Sequence, residues 1–516
     1  MLFKLLPGRA AGTLPCVLAV AAVLSTSLAC AQSSSADIQE MKRQIREMQQ
    51  KIDRMEAQAA QAAAIPAAPV ARSASSDKYE GIQAGPLNIK FGGFIEFAGL
   101  YRSRNEETDV GSSFNGIPYG NASGHYLDEF RASARQSRLS ILIAGPNDSG
   151  RHAEAYYEMD FLGAAQTANS KESNSYNLRI RNIYAQYAND NSGFSILAGQ
   201  NWSLLTPGKK GIAARGELVP MTIDAQYVPG FNWTRNAQIR LVEKFSDAVS
   251  VGLSLESPQT LFGGKAPTGV ISTLTGSGQF NNANSYSFDI APDVVLKLAF
   301  DPGWGHYELF GVNRWFKDRT IGSATAAGHN DSKSALAGGV GVLLPLIPKV
   351  LEFQANALFG KGVGRYGSAQ LSDATFDAQG DIVPLKGGTW LAGLVAHPDP
   401  TLDVYAYFGQ EKVDAAYSPV LDGTGALTGY VGYGSPALDL SGCATEGGTC
   451  APNNGKVQQG TIGAWWKAYR GSLGYLQIGV QGSYTKLQAL AGLNGVQPDT
   501  HMTVGMVSVR YYPYQN

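Results

Sequence analysis

From Leu87 to Tyr514 apolar and polar residues alternate with a period of two. Successive side chains of a β-strand point to opposite faces, so this is the pattern of strands with one apolar face. Sixteen strands are predicted, near 87–104, 130–144, 151–163, 176–188, 193–203, 233–244, 248–258, 291–301, 305–318, 333–346, 349–363, 387–397, 400–413, 456–468, 472–487 and 499–514. In 349–363, Leu351, Phe353, Ala355, Ala357 and Phe359 face one way, while Glu352, Gln354 and Asn356 face the other. In 472–487, Leu476, Ile478 and Val480 oppose Gln477, Gly479 and Gln481. In 400–413, Leu402, Val404, Ala406 and Phe408 oppose Asp403, Tyr405 and Tyr407. Two early strands break the rule. Ser133, Arg135 and Ser137 are in phase with Leu139, Ile141 and Ile143, and Asn182, Tyr184 and Gln186 are in phase with Ile180. Polar outward positions would be tolerated where this wall packs on other subunits, so an oligomer is expected.

The connections between strands alternate in length. Every second one is short: 145–150, 190–192, 245–247, 302–304, 347–348, 399 and 469–471. The intervening ones include the long segments 204–232, 259–290, 364–386 and 414–455. A soluble sandwich has no reason to alternate turn lengths, whereas an outer-membrane barrel has short periplasmic turns and longer extracellular loops. An even strand number puts both barrel ends in the periplasm. The expected fold is therefore all-β and transmembrane: a 16-stranded antiparallel outer-membrane β-barrel spanning 87–516.

The N-terminal region reads differently. Lys4 and Arg9 precede an apolar stretch from Leu14 to Leu28, and Ala29-Cys30-Ala31 has the small-residue form of a cleavage site. Residues 1–31 are thus expected to be a secretory signal peptide. Cys30 also permits a lipid-modified start, although Ser27 stands where such a signal would carry Leu. Within 32–63, Ile38, Met41, Ile45, Met48, Ile52, Met55, Ala59 and Ala62 follow 3-4-3-4 spacing. That spacing predicts a periplasmic coiled-coil helix with partner chains; a helix lying on its own protein is the alternative. Residues 64–86 form an Ala/Pro/Ser linker with Pro66 and Pro69.

Composition sharpens the class. The chain has 516 residues, 41 basic and 42 acidic, for a net charge of −1. That balance gives no basic stripe for nucleic acid. After the N-terminus the longest mostly apolar run is Ala335 to Pro348, interrupted by Pro345. It falls short of the roughly 20 residues a spanning helix needs. Once the signal is removed, Cys443 and Cys450 remain, and two cysteines in an exported chain favour a disulfide over a metal pair.

A sixteen-stranded barrel encloses a water-filled lumen. Loop 204–232 is the natural constriction and carries Lys209, Lys210 and Arg215. Arg138, Arg179, Arg181 and Arg240 are predicted to point inward beside its root. Guanidinium groups hold carboxylates bidentately, and rings of Arg and Lys favour anions in pores. The alternative is that these arginines pair with lumen acids such as Glu154, Glu158, Asp160, Glu308 and Glu352. Tyr405 and Tyr407 either stack sugars in the lumen or serve wall and girdle packing. Catalysis has little support. His125, His152, His306, His329, His397 and His501 are scattered without metal-ligand spacing. There is no Gly-x-Ser-x-Gly turn, no cofactor motif, and His152 with Glu154 and Glu158 lacks a local serine. No enzyme, metal or cofactor is expected.

Several stretches resemble the DcaP-like family of trimeric outer-membrane porins: Arg135-Gln-Ser-Arg138-Leu with Gly145, Leu178-Arg-Ile-Arg-Asn-Ile-Tyr184, Gly199-Gln-Asn-Trp202-Ser, Arg235-Asn-Ala-Gln238-Ile-Arg240, Gly252-Leu-Ser-Leu-Glu-Ser-Pro258 and Tyr511-Tyr-Pro-Tyr514. A signal peptide followed by a coiled coil is shared too. The resemblance implies sixteen strands, a homotrimer in the outer membrane contacting lipid, and passage of small anions, notably dicarboxylates. The chain departs from it by running on to Gln515 and Asn516, and loop 204–232 diverges too far for residue-by-residue transfer. The main rival is a carbohydrate-specific porin with eighteen strands and an aromatic slide. A rival of another class is an outer-membrane enzyme or structural barrel.

Overall fold

The computed structural model describes residues 81–164, 176–278, 281–324 and 327–514, together with Lys42, Arg43, Arg46, Glu47, Gln49, Gln50 and Lys51, which are helical and exposed. The expected signal peptide, the linker up to residue 80 and the eight apolar seam residues of the coiled coil lie outside the described residues.

Sixteen strands form one antiparallel sheet closed on itself. The first half comprises β1 (Leu87–Arg102), β2 (Arg138–Ala144, preceded by the split-off piece Glu129–Ser133), β3 (Arg151–Gly163), β4 (Asn177–Asn189), β5 (Phe194–Trp202), β6 (Arg235–Lys244), β7 (Val249–Glu256) and β8 (Asp293–Phe300). The second half comprises β9 (His306–Lys317), β10 (Ser332–Ile347), β11 (Leu351–Lys361), β12 (Lys386–Asp399), β13 (Leu402–Val413), β14 (Asn454–Gly471), β15 (Gly474–Ala489) and β16 (Asp499–Tyr512). Each strand pairs with the next, and β1 closes on β16 with Ile95 opposite Tyr511. Closure leaves no free edge. A short strand, Ile82–Ala84, folds back on the start of β1.

At one end the connections run two to six residues; at the other they run nine to forty. The short turns use backbone chemistry that other residues cannot supply. Gly193 takes φ +81°, and a Cβ there would stand 2.2 Å from the Lys244 carbonyl oxygen. The expected apolar set faces outward: Leu394, Ile462 and Val480 are 44%, 61% and 53% exposed. A Lys or Arg at mid-height on that surface would cost about 2–4 kcal/mol in a bilayer. The opposite set faces the lumen, where Gln354, Asn356, Asp403, Tyr405 and Tyr407 are buried.

Two β-bulges overturn the expected exception in 176–188 and part of the one in 130–144, where Arg135 and Ser137 stay on the outer side. Ala98 pairs with Ser133 and Phe94 pairs with Arg138, so Ile95–Phe97 oppose the longer stretch 134–137. The extra residue flips the phase of β2. Phe130, 70% exposed, faces outward before the bulge, and Leu139 faces outward after it. Ser133 therefore points inward, where its hydroxyl contacts Asp109 at 3.1 Å. In β4, Glu158 pairs with Asn182 while Met159 pairs with Ile180, leaving Arg181 as the surplus residue. Asn182 and Tyr184 are buried in the lumen, and Ile183 and Tyr187 face out. On the outer side the polar set shrinks to Arg135 and Ser137, which line a hollow beside Phe97 and Tyr176, so the polar-surface argument for an oligomer rests on these residues alone.

Candidate functional site

Loop 203–234 connects β5 to β6 and crosses the lumen. Its root is closed by the Ser203 N–H donating to the Thr234 carbonyl at 2.8 Å. A hairpin follows, with Lys209 N–H donating to Gly216 O at 2.9 Å and Leu218 N–H to Pro207 O at 2.7 Å. The tip carries Lys209, Lys210 and Arg215, all exposed. Arg215 adopts φ +63°, a costly region for a side-chain-bearing residue. It is held there by Glu154 at 3.1 Å and by the Tyr156 ring, 5.2 Å from its guanidinium. The hairpin is pinned to the near wall as well. Gly208 N–H donates to Glu308 at 3.0 Å and Gly211 N–H to Asp301 at 2.9 Å.

The rest of the loop reaches the far wall. Met221 N–H donates to the Tyr407 hydroxyl at 3.3 Å, and Ile223 N–H to Gln481 at 2.6 Å. Trp465 Nε1 donates to the Met221 carbonyl at 2.7 Å. On the way back, Gly230 N–H donates to Glu411 at 2.8 Å. The contacts on β13, β14 and β15 lie half the barrel away from β5 and β6, so the loop spans the diameter. Ile223, Val228 and Phe231 are fully buried beneath it.

Beside this crossing lies a chamber of about 550 Å³. Its wall comes from β1–β5 and β14–β16, its other side from the loop. Arg138, Arg181, Lys209, Arg215 and Arg510 line it, as do Glu158, Asp160, Glu217 and Asp224. A second, wider space of about 740 Å³ opens at the short-turn end, lined by Lys209, Lys210, Asp247, Asp301, His306 and Glu352. Lys209 borders both.

Arg138, Arg179 and Arg181 are paired with acids. Arg181 is 2% exposed and contacts Glu158 at 2.6 Å and Asp160 at 3.2 Å. Arg179 grips Asp160 through two nitrogens at 3.0 and 2.8 Å and is not on the chamber surface. Arg138 stands 3.8 Å from Glu158, with 29% of its side chain exposed. Arg240 is buried behind the chamber, donating to Gln238 at 3.0 Å and to the Trp202 carbonyl. Among the described residues no carboxylate pairs with Lys209 or Lys210, and Lys210 faces the short-turn end. Burial pushes the carboxyls of Glu217 and Asp224 above the usual range, although Arg240 and Arg102 respectively pull the other way.

Arg510 is a chamber residue that sequence reasoning passed over. Its guanidinium lies between the Trp465 and Phe94 rings, 4.5 and 4.7 Å from their centroids, and contacts Glu96 at 3.1 Å. It shares phase with the lumen-facing Ser508 and Met506, which was a usable signal. Tyr405 and Tyr407 are 1% and 3% exposed under the crossing loop and offer no open stacking surface. Cys443 and Cys450 are bonded to each other in the loop before β14.

No family model and no curated protein sequence matches the chain. Solved structures do. The outer membrane channel DcaP of Acinetobacter baumannii is 18% identical, covers 84% of this chain and 99% of its own, and superposes with a TM-score of 0.58. An anion-selective porin from Comamonas acidovorans is 12% identical, covering 83% and 99%, with a TM-score of 0.43. OprB of Pseudomonas putida is 10% identical, covering 82% and 94%, with a TM-score of 0.40. The likeness to DcaP is one of fold: this chain has the sixteen-stranded closed barrel of a bacterial outer-membrane channel.

Proposed function

We propose that the protein is an outer-membrane diffusion channel for small hydrophilic solutes that favours anions, dicarboxylates among them. The observation that carries this reading is the tip of the crossing hairpin. Lys209 stands at the junction of the two lumen spaces with no carboxylate partner among the described residues, while the neighbouring arginines are matched by acids. An unneutralised ammonium at the narrow section sets the sign of the local field, whatever the net charge of the chain. Arg138 and Arg215 keep roughly a third of their side chains exposed and would offer a passing carboxylate further donors. Such contacts must stay weak enough for the solute to leave.

The carbohydrate reading is less well supported, because Tyr405 and Tyr407 are covered and Arg510 occupies a face of Trp465. Assembly as a homotrimer with a periplasmic coiled coil rests on the heptad seam of residues 38–62. Conductance in planar bilayers under a salt gradient tests the channel. The triple variant Lys209→Glu, Lys210→Glu, Arg215→Glu should move the reversal potential toward cations and slow dicarboxylate uptake several-fold. Unchanged selectivity would remove the anion assignment, and a non-conducting wild type would remove the channel.

A further inference from the structure

The outer surface carries a second charged feature, unrelated to the lumen. Lys317, Lys361, Lys386, Lys412, Lys456 and Lys486 all face outward at the long-loop end. They occupy six of the seven consecutive strands from β9 to β15. Each stands ten positions along its strand from an outward residue at the short-turn end: Tyr307, Leu351, Ala396, Leu402, Trp466 and Leu476 respectively. Ten residues at about 3.3 Å each, tilted by about 40°, rise roughly 25 Å, the height of a barrel's apolar band. The lysines thus mark one level, the upper edge of that band. At this end six of the first eight strands present Tyr101, Phe130, Leu178, Ala237, Leu255 and Val294 outward instead.

The register concentrates the charge. Lys361 is the direct cross-strand partner of Lys386, and Lys412 of Lys456. Like charges directly opposite repel, so two such pairs on adjoining strands call for an anion between them. The loops supply part of the compensation, with Asp414 at 2.7 Å from Lys412 and Asp499 at 3.1 Å from Lys486. Among the described residues no carboxylate pairs with Lys317, Lys361, Lys386 or Lys456. Between that level and the short-turn end lie exposed apolar side chains, Phe359, Leu394, Phe408, Ile462 and Tyr484.

We propose that this lysine belt binds the phosphate groups of lipids in the outer leaflet, one phosphate bridging each opposed pair. The acyl chains then lie on the apolar strip beneath. Charge above and hydrocarbon below match a phosphorylated lipid, whereas a free phosphate would use the upper half alone.

The test uses the purified full-length protein in mild detergent, with bound lipid counted by native mass spectrometry. The probes are lipid A carrying both phosphates and the same lipid with its phosphates removed. Wild type should retain the phosphorylated form at about tenfold lower concentration, since each lysine near an anionic surface contributes appreciably. The variant Lys361→Gln, Lys386→Gln, Lys412→Gln, Lys456→Gln should lose about tenfold or more of that preference. Its single-channel conductance should stay at the wild-type value, because all four positions lie outside the lumen. Equal retention of both lipids by wild type, or undiminished preference in the variant, overturns the proposal. Should the quadruple variant fail to insert, raising salt from about 50 mM to about 500 mM on wild type decides it. Charge-driven binding falls, and salt-insensitive binding overturns the assignment.

Discussion

The two sides of the barrel wall are built on different principles. On β1–β4 the wall is interrupted three times, by the surplus residue in 134–137, by Arg181 and by a further register shift between Asp160 and Gly163. Each bulge turns the strand's facing by one residue. The second one aims both Arg181 and Asn182 into the lumen, beside Glu158 and Asp160. The first opens an outward hollow of about 470 Å³ lined by Phe97, Phe161 and Tyr176, with Arg135 stacked on Tyr176 at 3.5 Å. On β11–β13 the pairing runs unbroken over long stretches, the inner surface lies under the loops, and the outer surface carries the lysine belt. Irregularity at mid-strand therefore sits where the chamber is, whereas on the opposite side the register shifts fall near strand ends, at Pro345/Ile347, Ala396/Asp399 and Asn454/Lys456. A strand can present a dense polar cluster inward and stay apolar outward by spending one extra residue.

The largest effect should come from removing the irregularity itself. Deleting Gln136 would force either Phe130 and Ala132 or Leu139, Ile141 and Ile143 toward the lumen, because a one-residue slip re-aims every side chain beyond it. We expect loss of the folded, heat-resistant band on a semi-native gel. Deleting Gly423 from a loop tip, where an added Cβ would meet nothing within 4 Å, should leave the band intact. Second in size is Arg181→Ala. It removes the short contact to buried Glu158, while Arg179 still holds Asp160, so the loss should stay at or below the roughly 3–5 kcal/mol of a buried pair broken on one side. Denaturation midpoints would register it, and variants that still insert should become more cation-selective. Lys386→Gln on the regular face should shift stability by less than about 0.5 kcal/mol.

The strand number and the alternation of turn lengths were legible because they repeat along the whole chain. The bulges were not. Alternation across Arg135 reads as continuous in sequence, and the mismatch with Ile95–Phe97 exists in the pairing of two strands distant in sequence. The same holds for Arg181, whose surplus shows against Glu158 and Met159. The crossing loop was picked out by its length and charge, and it does fold inward. Which of its charges stay unpaired was left open, because Glu154 reaches Arg215 across 61 residues of sequence. Arg510 is legible only through its phase with the buried Met506 and Ser508, because no motif or charge cluster in sequence marks it. The coiled-coil seam lies outside the described residues, so its reading stands on heptad spacing alone.

A smaller effect distinguishes wall from loop. The wall acids Glu158 and Asp160 are engaged by arginines, whereas Glu217 and Asp224 on the loop have carboxyls raised by burial. A raised carboxyl takes up its proton at a higher pH than an ordinary one. Lowering pH from about 8 to about 5 should therefore strip negative charge from the loop before exposed acids titrate. The chamber becomes more positive and anion preference rises. Arg240, Glu158 and Lys297 are the charged wall groups that face Glu217. Glu217→Gln should flatten the reversal-potential profile in part, and Glu217→Gln with Asp224→Asn should flatten it further. A profile as steep as wild type would place the titrating group elsewhere.

The smallest effect on selectivity is expected at the disulfide, which belongs to neither side of the comparison alone. Cys443–Cys450 closes a short loop in the segment leading to β14, and Gly447 N–H donates to the Asn121 carbonyl at 2.9 Å in the loop after β1. The bridge thus braces a contact between loops rooted at opposite ends of the sheet order, far in sequence from Lys209. With a separation of seven residues, chain-entropy reasoning caps its contribution at about 2.5 kcal/mol. The closed barrel ladder holds most of the structure without it. Cys443→Ser with Cys450→Ser should therefore lower the thermal midpoint slightly and leave conductance and reversal potential unchanged. Altered selectivity in this variant would mean that the loops over β14 shape the chamber entrance. The division between a chemically active β1–β5 side and an inert opposite side would then have to be redrawn.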